Sequence, residues 1–169
     1  AQSEAACGCT FSNYWMHGGM LQINSEKMSK SLGNFLLLRD VLKECDARVL
    51  RMLMMQTHYR SPLDFSKERL DEAGASLGRL CCCIDRMDWL ASHPDENAPA
   101  FVPETEGFTF EKAVKNVREA FAASMDDDFN TAGALGAIFG FVGEVNAALG
   151  TATFGPADVA NLESVRDVI

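Results

Sequence analysis

At 169 residues with a net charge of −9, 47% hydrophobic and 23% charged residues and a mean hydropathy of -0.05, the chain fits one ordinary domain or a small unit joined to a helical one, not a complete multi-domain enzyme. No apolar run approaches the roughly 18 residues of a membrane span, so a soluble protein with no membrane partner is expected. Charge is uneven: residues 1–60 hold seven Lys or Arg against five acids (+2) and residues 61–169 hold eight against nineteen (−11), which excludes a broad nucleic-acid-coating surface and leaves local phosphate contacts to the first third.

The opening Ala-Gln-Ser-Glu has neither an initiator Met nor the basic-then-apolar pattern of a signal peptide, so a cut beginning is expected. Residues 11–16 and 20–23 are short apolar and aromatic runs separated by His17-Gly18-Gly19, which predicts two short strands around a glycine-enabled turn. Residues 24–34 are polar and basic and predict an exposed loop. A short helix is expected over 36–45 with Asp40 near its start, then a second over 47–57 with Asp46 as its N-cap, ending before Ser61-Pro62.

Ser66 is placed to cap a long helix in which Leu70, Leu77 and Ile84 recur every seven residues with Ala73, Leu80 and Met87 three further on, the pattern of a seam buried against other helices. Residues 92–107, with Pro94, Pro99 and Pro103 among acids, predict a linker or long loop. Thr109 caps an expected helix to about Ser124 with Phe110, Val114, Val117 and Phe121 on one face. A turn through Asp126-Asp127-Asp128 leads to Asn130 or Thr131, capping a helix of Leu135, Ile138, Phe139, Val142, Val145 and Leu149. Pro156 opens a last helical segment, which reaches Ile169 without a stop signal, so a cut end is expected too. The fold class is mainly α: a short strand pair and loop with small helices, then an antiparallel helical bundle.

Six cysteines argue neither for disulfides nor for zinc. Cys81, Cys82 and Cys83 are consecutive on a helix and point about 100° apart, and Cys7 and Cys9 form only a C-x-C pair. Reduced thiols acting as small apolar residues are expected, in a cytoplasmic protein.

One local sequence carries specific chemistry: Lys27-Met28-Ser29-Lys30-Ser31, followed by Leu32-Gly33-Asn34. An exact five-residue word arises by chance in about one chain in 10⁴ of this length. It resembles the signature loop of class I aminoacyl-tRNA synthetases. Two ammonium groups on a loop suit the attack of a carboxylate on the α-phosphate of ATP, because negative charge builds on the α-phosphoryl oxygens and the departing pyrophosphate. Small Ser29 and Ser31 let the backbone approach phosphate and offer hydroxyl donors, and Gly33 permits a tight return.

The flanking segments narrow the resemblance. Asn13-Tyr14-Trp15-Met16-His17, the run from His58-Tyr59-Arg60-Ser61-Pro62 to Leu63-Asp64-Phe65-Ser66, and Met125-Asp126-Asp127-Asp128-Phe129-Asn130-Thr131 are similar to cysteinyl-tRNA synthetases in order and spacing. The resemblance implies ATP-dependent activation of cysteine, with Mg²⁺, and transfer to tRNA-Cys by a monomeric enzyme. Residues 1–65 would be the end of the catalytic domain with its stem-contact region, and residues 66–169 a helical tRNA-binding, DALR-type anticodon-binding region. The family's Zn²⁺ ligands and its other nucleotide motif would lie upstream of Ala1, so no metal ligand is assigned here and the fragment alone is expected to be inactive. Lys27 and Lys30 would be the catalytic pair, with Met28, Ser29 and Ser31 at ATP.

Several residues keep two readings. His17 is either at the nucleotide or a hydrogen-bonded structural histidine. Tyr14 and Trp15 either stack on a base or pack one face into the core. Lys43, Arg48, Arg51 and Arg60 are tRNA phosphate contacts or solvated and salt-bridged side chains. His58 and Arg60 fit equally as fixing the junction to the bundle, and the three consecutive aspartates as cap and helix-dipole partners rather than a magnesium site. A cysteine ligase of mycothiol synthesis and a non-catalytic helical tRNA-binding module are the competing functions.

Overall fold

The computed structural model describes residues 2–29, 36–99, 101–103, 107–150 and 154–169. Lys30, Ser31 and Gly33 lie outside the described residues. A short helix α1 (Gln2–Cys7) precedes an irregular stretch, then strands β1 (Leu21–Ile23) and β2 (Glu26–Lys27), helices α2 (Leu38–Glu44) and α3 (Ala47–Met55), and strand β3 (Leu63–Phe65). Helices α4 (Lys67–Ser92), α5 (Phe110–Asp126) and α6 (Thr131–Leu149) follow, and a 3-10 turn at Pro156–Asp158 leads into α7 (Val159–Arg166).

The strand expected over residues 11–16 does not form: Tyr14 is 89% and Trp15 67% exposed, outside any sheet and away from the core. β1 instead pairs antiparallel with β2, Gln22 opposite Lys27, so the expected loop begins as a hairpin. Its two turn residues, Asn24 and Ser25, both have positive φ (50° and 64°), the mirror-image turn whose twist matches the flanking strands. Ser25 N–H donates to Asp64 Oδ1 at 2.7 Å, which ties the turn to β3. β3 pairs parallel with β1, giving the order β2-β1-β3.

The helix caps fall where the side chains specify them. Asp46, Ser66, Thr109 and Asn130 each accept from a backbone N–H in the first turn of α3, α4, α5 and α6. These bonds satisfy donors that would otherwise be orphaned, each worth about 1 kcal/mol.

The expected α4 seam is buried along Ala73, Leu80 and Met87 but not along its other row. Ala73, Ser76, Leu80, Cys83 and Met87 are its buried stripe, and Leu70, Leu77 and Ile84 sit at its margin, half-buried. Alternating steps of three and four keep that stripe on one face, and its small members let neighbouring helices approach. On α5 the buried residues are Phe110, Ala113 and Val117, while Phe121, on the same expected face, is 42% exposed.

One described helix, α6, is long and apolar enough to cross a membrane, where the sequence reading saw no such run. Phe141, Val142, Val145 and Leu149 of α6 enter the common core with α4, α5 and α7. Arg86 of α4 closes the end of α6, donating from Nη2 to the Gly150 carbonyl at 2.6 Å, a cation on the negative pole of a helix. The proline-rich stretch is tied down where described. Asp95 N–H donates to the Phe154 carbonyl at 2.9 Å, and the buried Asp158 carboxylate accepts from Phe101 N–H at 3.2 Å and Gly155 N–H at 3.1 Å.

Candidate functional site

Lys27 is the last residue of β2, exposed and opposite Gln22, and Met28 N–H donates to the Leu21 carbonyl at 3.4 Å. The first two residues of the Lys-Met-Ser-Lys-Ser word are therefore rooted on a strand rather than on a free loop. Beneath the sheet, Leu21, Ile23, Leu38, Val41, Met54 and Phe65 border an apolar cavity of about 230 Å³.

A second chain segment holds this root. Gly19 N–H donates to the Tyr59 carbonyl at 2.6 Å and Leu63 N–H to the Met20 carbonyl at 3.0 Å. A Cβ on Gly19 would collide with the Ser61 carbonyl and stand 2.9 Å from Arg60 O. Gly19 gives room to the backbone of residues 60 and 61, beyond the turn expected of the two glycines. His17 is exposed and stacks on Trp15, with ring centroids 6.4 Å apart.

Residues 58–60 meet the turn between α5 and α6. Tyr59 Oη donates to Asp128 Oδ1 at 2.8 Å, and Arg60 Nε sits 3.0 Å from Asp128 Oδ2 and donates to Tyr59 Oη at 2.9 Å. His58 Nε2 lies 3.1 Å from the Asp128 carbonyl oxygen, and its Nδ1 accepts from Arg60 N–H at 3.3 Å. A proton on Nε2 satisfies both contacts. Hydrogen bonding to Tyr59, and then the charge of Asp128, raise the Arg60 guanidinium above its ordinary value. Two motifs almost 70 residues apart in sequence thus form one cluster, the junction to the bundle that is one of the two readings of His58 and Arg60. The reading of Asp128 as a local cap or dipole partner is corrected accordingly: its carboxylate serves a different part of the chain.

The remaining basic candidates lie on or near α2 and α3. Lys43 pairs with Asp40 at 2.7 Å and Arg48 with Asp46 at 2.8 Å, both on the surface. The Arg48 hydrogen bond holds the Asp46 carboxyl below its ordinary value. Arg51, exposed on the same helix, makes no ion pair or hydrogen bond of its side chain among the described residues. No three of His, Cys, Asp and Glu come together as a metal-ligating group among the described residues.

Residues 1–75 match the family described as tRNA synthetases class I (C) catalytic domain, and residues 120–169 match the DALR domain. A cysteine--tRNA ligase of Geobacter metallireducens is 46% identical over all of this chain and 34% of its own length. One of Burkholderia cenocepacia is 46% identical over 86% of this chain and 28% of its own. The chain spans about a third of the length of the first of these relatives. Among solved structures, an Agrobacterium radiobacter LeuRS in a ternary complex with tRNA and LeuAMS matches 89% of this chain and 20% of its own, with a TM-score of 0.64 and 22% identity, a likeness of fold.

Proposed function

This chain belongs with the cysteinyl-tRNA synthetases over the third of their length that it matches, and on that premise we propose that the protein activates cysteine with ATP and transfers it to tRNA-Cys. The observation that carries the reading is identity along the whole chain to cysteine--tRNA ligases together with the Lys-Met-Ser-Lys-Ser word beginning on β2. The cysteine carboxylate attacks the α-phosphorus, pyrophosphate leaves, and a hydroxyl of the terminal adenosine of the tRNA then takes the cysteinyl group as AMP departs.

In this reading Lys27 and Lys30 supply charge to the first step, with Met28, Ser29, Ser31 and His17 at ATP. Because that charge is most needed as the pyrophosphate leaves, it favours the transition state over bound ATP. Lys43, Arg48, Arg51 and Arg60 face the tRNA. Residues 1–65 act as the catalytic-domain end and 66–169 as the anticodon-side bundle. Mg²⁺ would accompany ATP and Zn²⁺ would bind the cysteine thiol; no residue of this chain is assigned to either ion. The protein works in the cytoplasm and as a monomer, and sedimentation of the full-length protein checks the monomer.

The test is Lys30→Ala in the full-length protein. Cysteine-dependent pyrophosphate exchange should fall in kcat by about 10²-fold or more, with a much smaller change in KM for ATP. An unchanged exchange rate in a folded variant refutes the assignment. Ligation of cysteine to a glucosaminyl-inositol, with no charging of tRNA, would move the protein to the mycothiol ligases.

A further inference from the structure

Asp128 and Phe129 stand consecutively in the left-handed region, both with φ 54°. Aspartate tolerates that conformation better than most side chains, but a bulky residue such as phenylalanine rarely adopts it. Such strain persists where surrounding structure over-determines it, and it often marks a constrained site. Asn130 then caps α6, its Oδ1 accepting from Gly133 N–H at 2.8 Å. The turn has a consequence outside the helical bundle: it aims the Asp128 carboxylate at Tyr59 Oη and Arg60 Nε.

From there alternating hydrogen bonds and short stretches of chain reach the loop. The Tyr59 carbonyl accepts from Gly19 N–H. Two residues on, Leu21 opens β1, and β1 carries β2 and Lys27 by strand pairing. We propose that Asp128 is a positioning residue for the Lys27 loop, with the turn between α5 and α6 clamping residues 58–60 and, through them, fixing the strand from which the loop springs. The catalytic consequence rests on the function proposed above; the mechanical coupling does not.

Two variants of the full-length protein test it. Asp128→Asn keeps a residue suited to the left-handed turn and removes the charge, and Tyr59→Phe removes only the hydroxyl. Amide hydrogen exchange read by mass spectrometry should rise about tenfold or more over residues 19–28 in both, the effect of losing one hydrogen bond to a charged acceptor. Exchange in α6 should stay unchanged and serve as the control for folding. The kcat of cysteine-dependent pyrophosphate exchange should fall by a similar factor with KM for cysteine unchanged.

Unaltered amide exchange over residues 19–28 in both variants overturns the proposal, as does raised exchange with an unchanged kcat. A wild-type protein lacking cysteine-dependent pyrophosphate exchange would refute the function alone. Amide exchange would then still decide the coupling.

Discussion

Gly19 shows how a single missing Cβ places the site. The neighbours it would strike are the Ser61 and Arg60 carbonyls, backbone atoms that cannot rotate aside. Gly19→Ala must therefore push residues 58–61 away from β1, costing about 1–3 kcal/mol as other overpacked sites do. Gly18→Ala is the control, because its nearest neighbour is Tyr59 O at 3.8 Å, an ordinary contact, and it should change stability by less than about 0.5 kcal/mol. Urea unfolding of both variants measures the difference, and equal midpoints would contradict the packing argument. The double glycine was visible in the sequence. What it accommodates was not, because the Ser61 carbonyl arrives from a segment about 40 residues away and leaves no local trace.

The elements divide by how their information is carried. Asp46, Ser66, Thr109 and Asn130 sit next to the backbone groups they cap, so four helix starts were legible in the sequence. β2 and β3, two and three residues long, are too short for any periodicity. They exist because Asn24-Ser25 turns the chain and Asp64 holds that turn, and the Asn-Ser pair was the signal overlooked. The α4 seam is legible as a helix and in Ala73, Leu80 and Met87, while Ser76 and Cys83 complete its buried stripe without being apolar enough to mark it in the sequence. Cys83 tests that stripe. Its burial raises the thiol above the ordinary value of 9.0, so the folded protein holds that proton longer than the unfolded chain. Stability from this site is complete below the unfolded thiol value and is lost as pH climbs through the folded one. Iodoacetamide at pH of about 8.5 should therefore modify exposed Cys82 first and reach Cys83 only through unfolding. Comparable rates at the two thiols would contradict the burial of that stripe.

At the scale of the molecule, charge and contact geometry assign different work to the two parts. Residues 61–169 carry a balance of −11 and touch the loop's support through the Asp128 cluster, so their acidity does not suit them to broad phosphate binding but does suit them to clamping Arg60. In the proposed function, phosphate contact falls to the first 60 residues, with their balance of +2. Within that part, Lys43 and Arg48 spend charge on Asp40 and Asp46, and Arg60 on Asp128, which leaves Arg51 as the candidate whose guanidinium has no ion-pair partner among the described residues. If the proposed function holds, Arg51→Ala in the full-length protein weakens tRNA binding about threefold to tenfold, and the slope of log affinity against log salt falls by about 0.7–0.9 for the lost phosphate contact. Lys115→Ala, on the acidic side and paired with Glu119 at 3.9 Å, leaves both quantities unchanged. Filter binding from about 50 to 200 mM salt reads the two slopes. A loss for Lys115→Ala equal to that for Arg51→Ala would place the RNA on the bundle and remove the division of labour between the two parts.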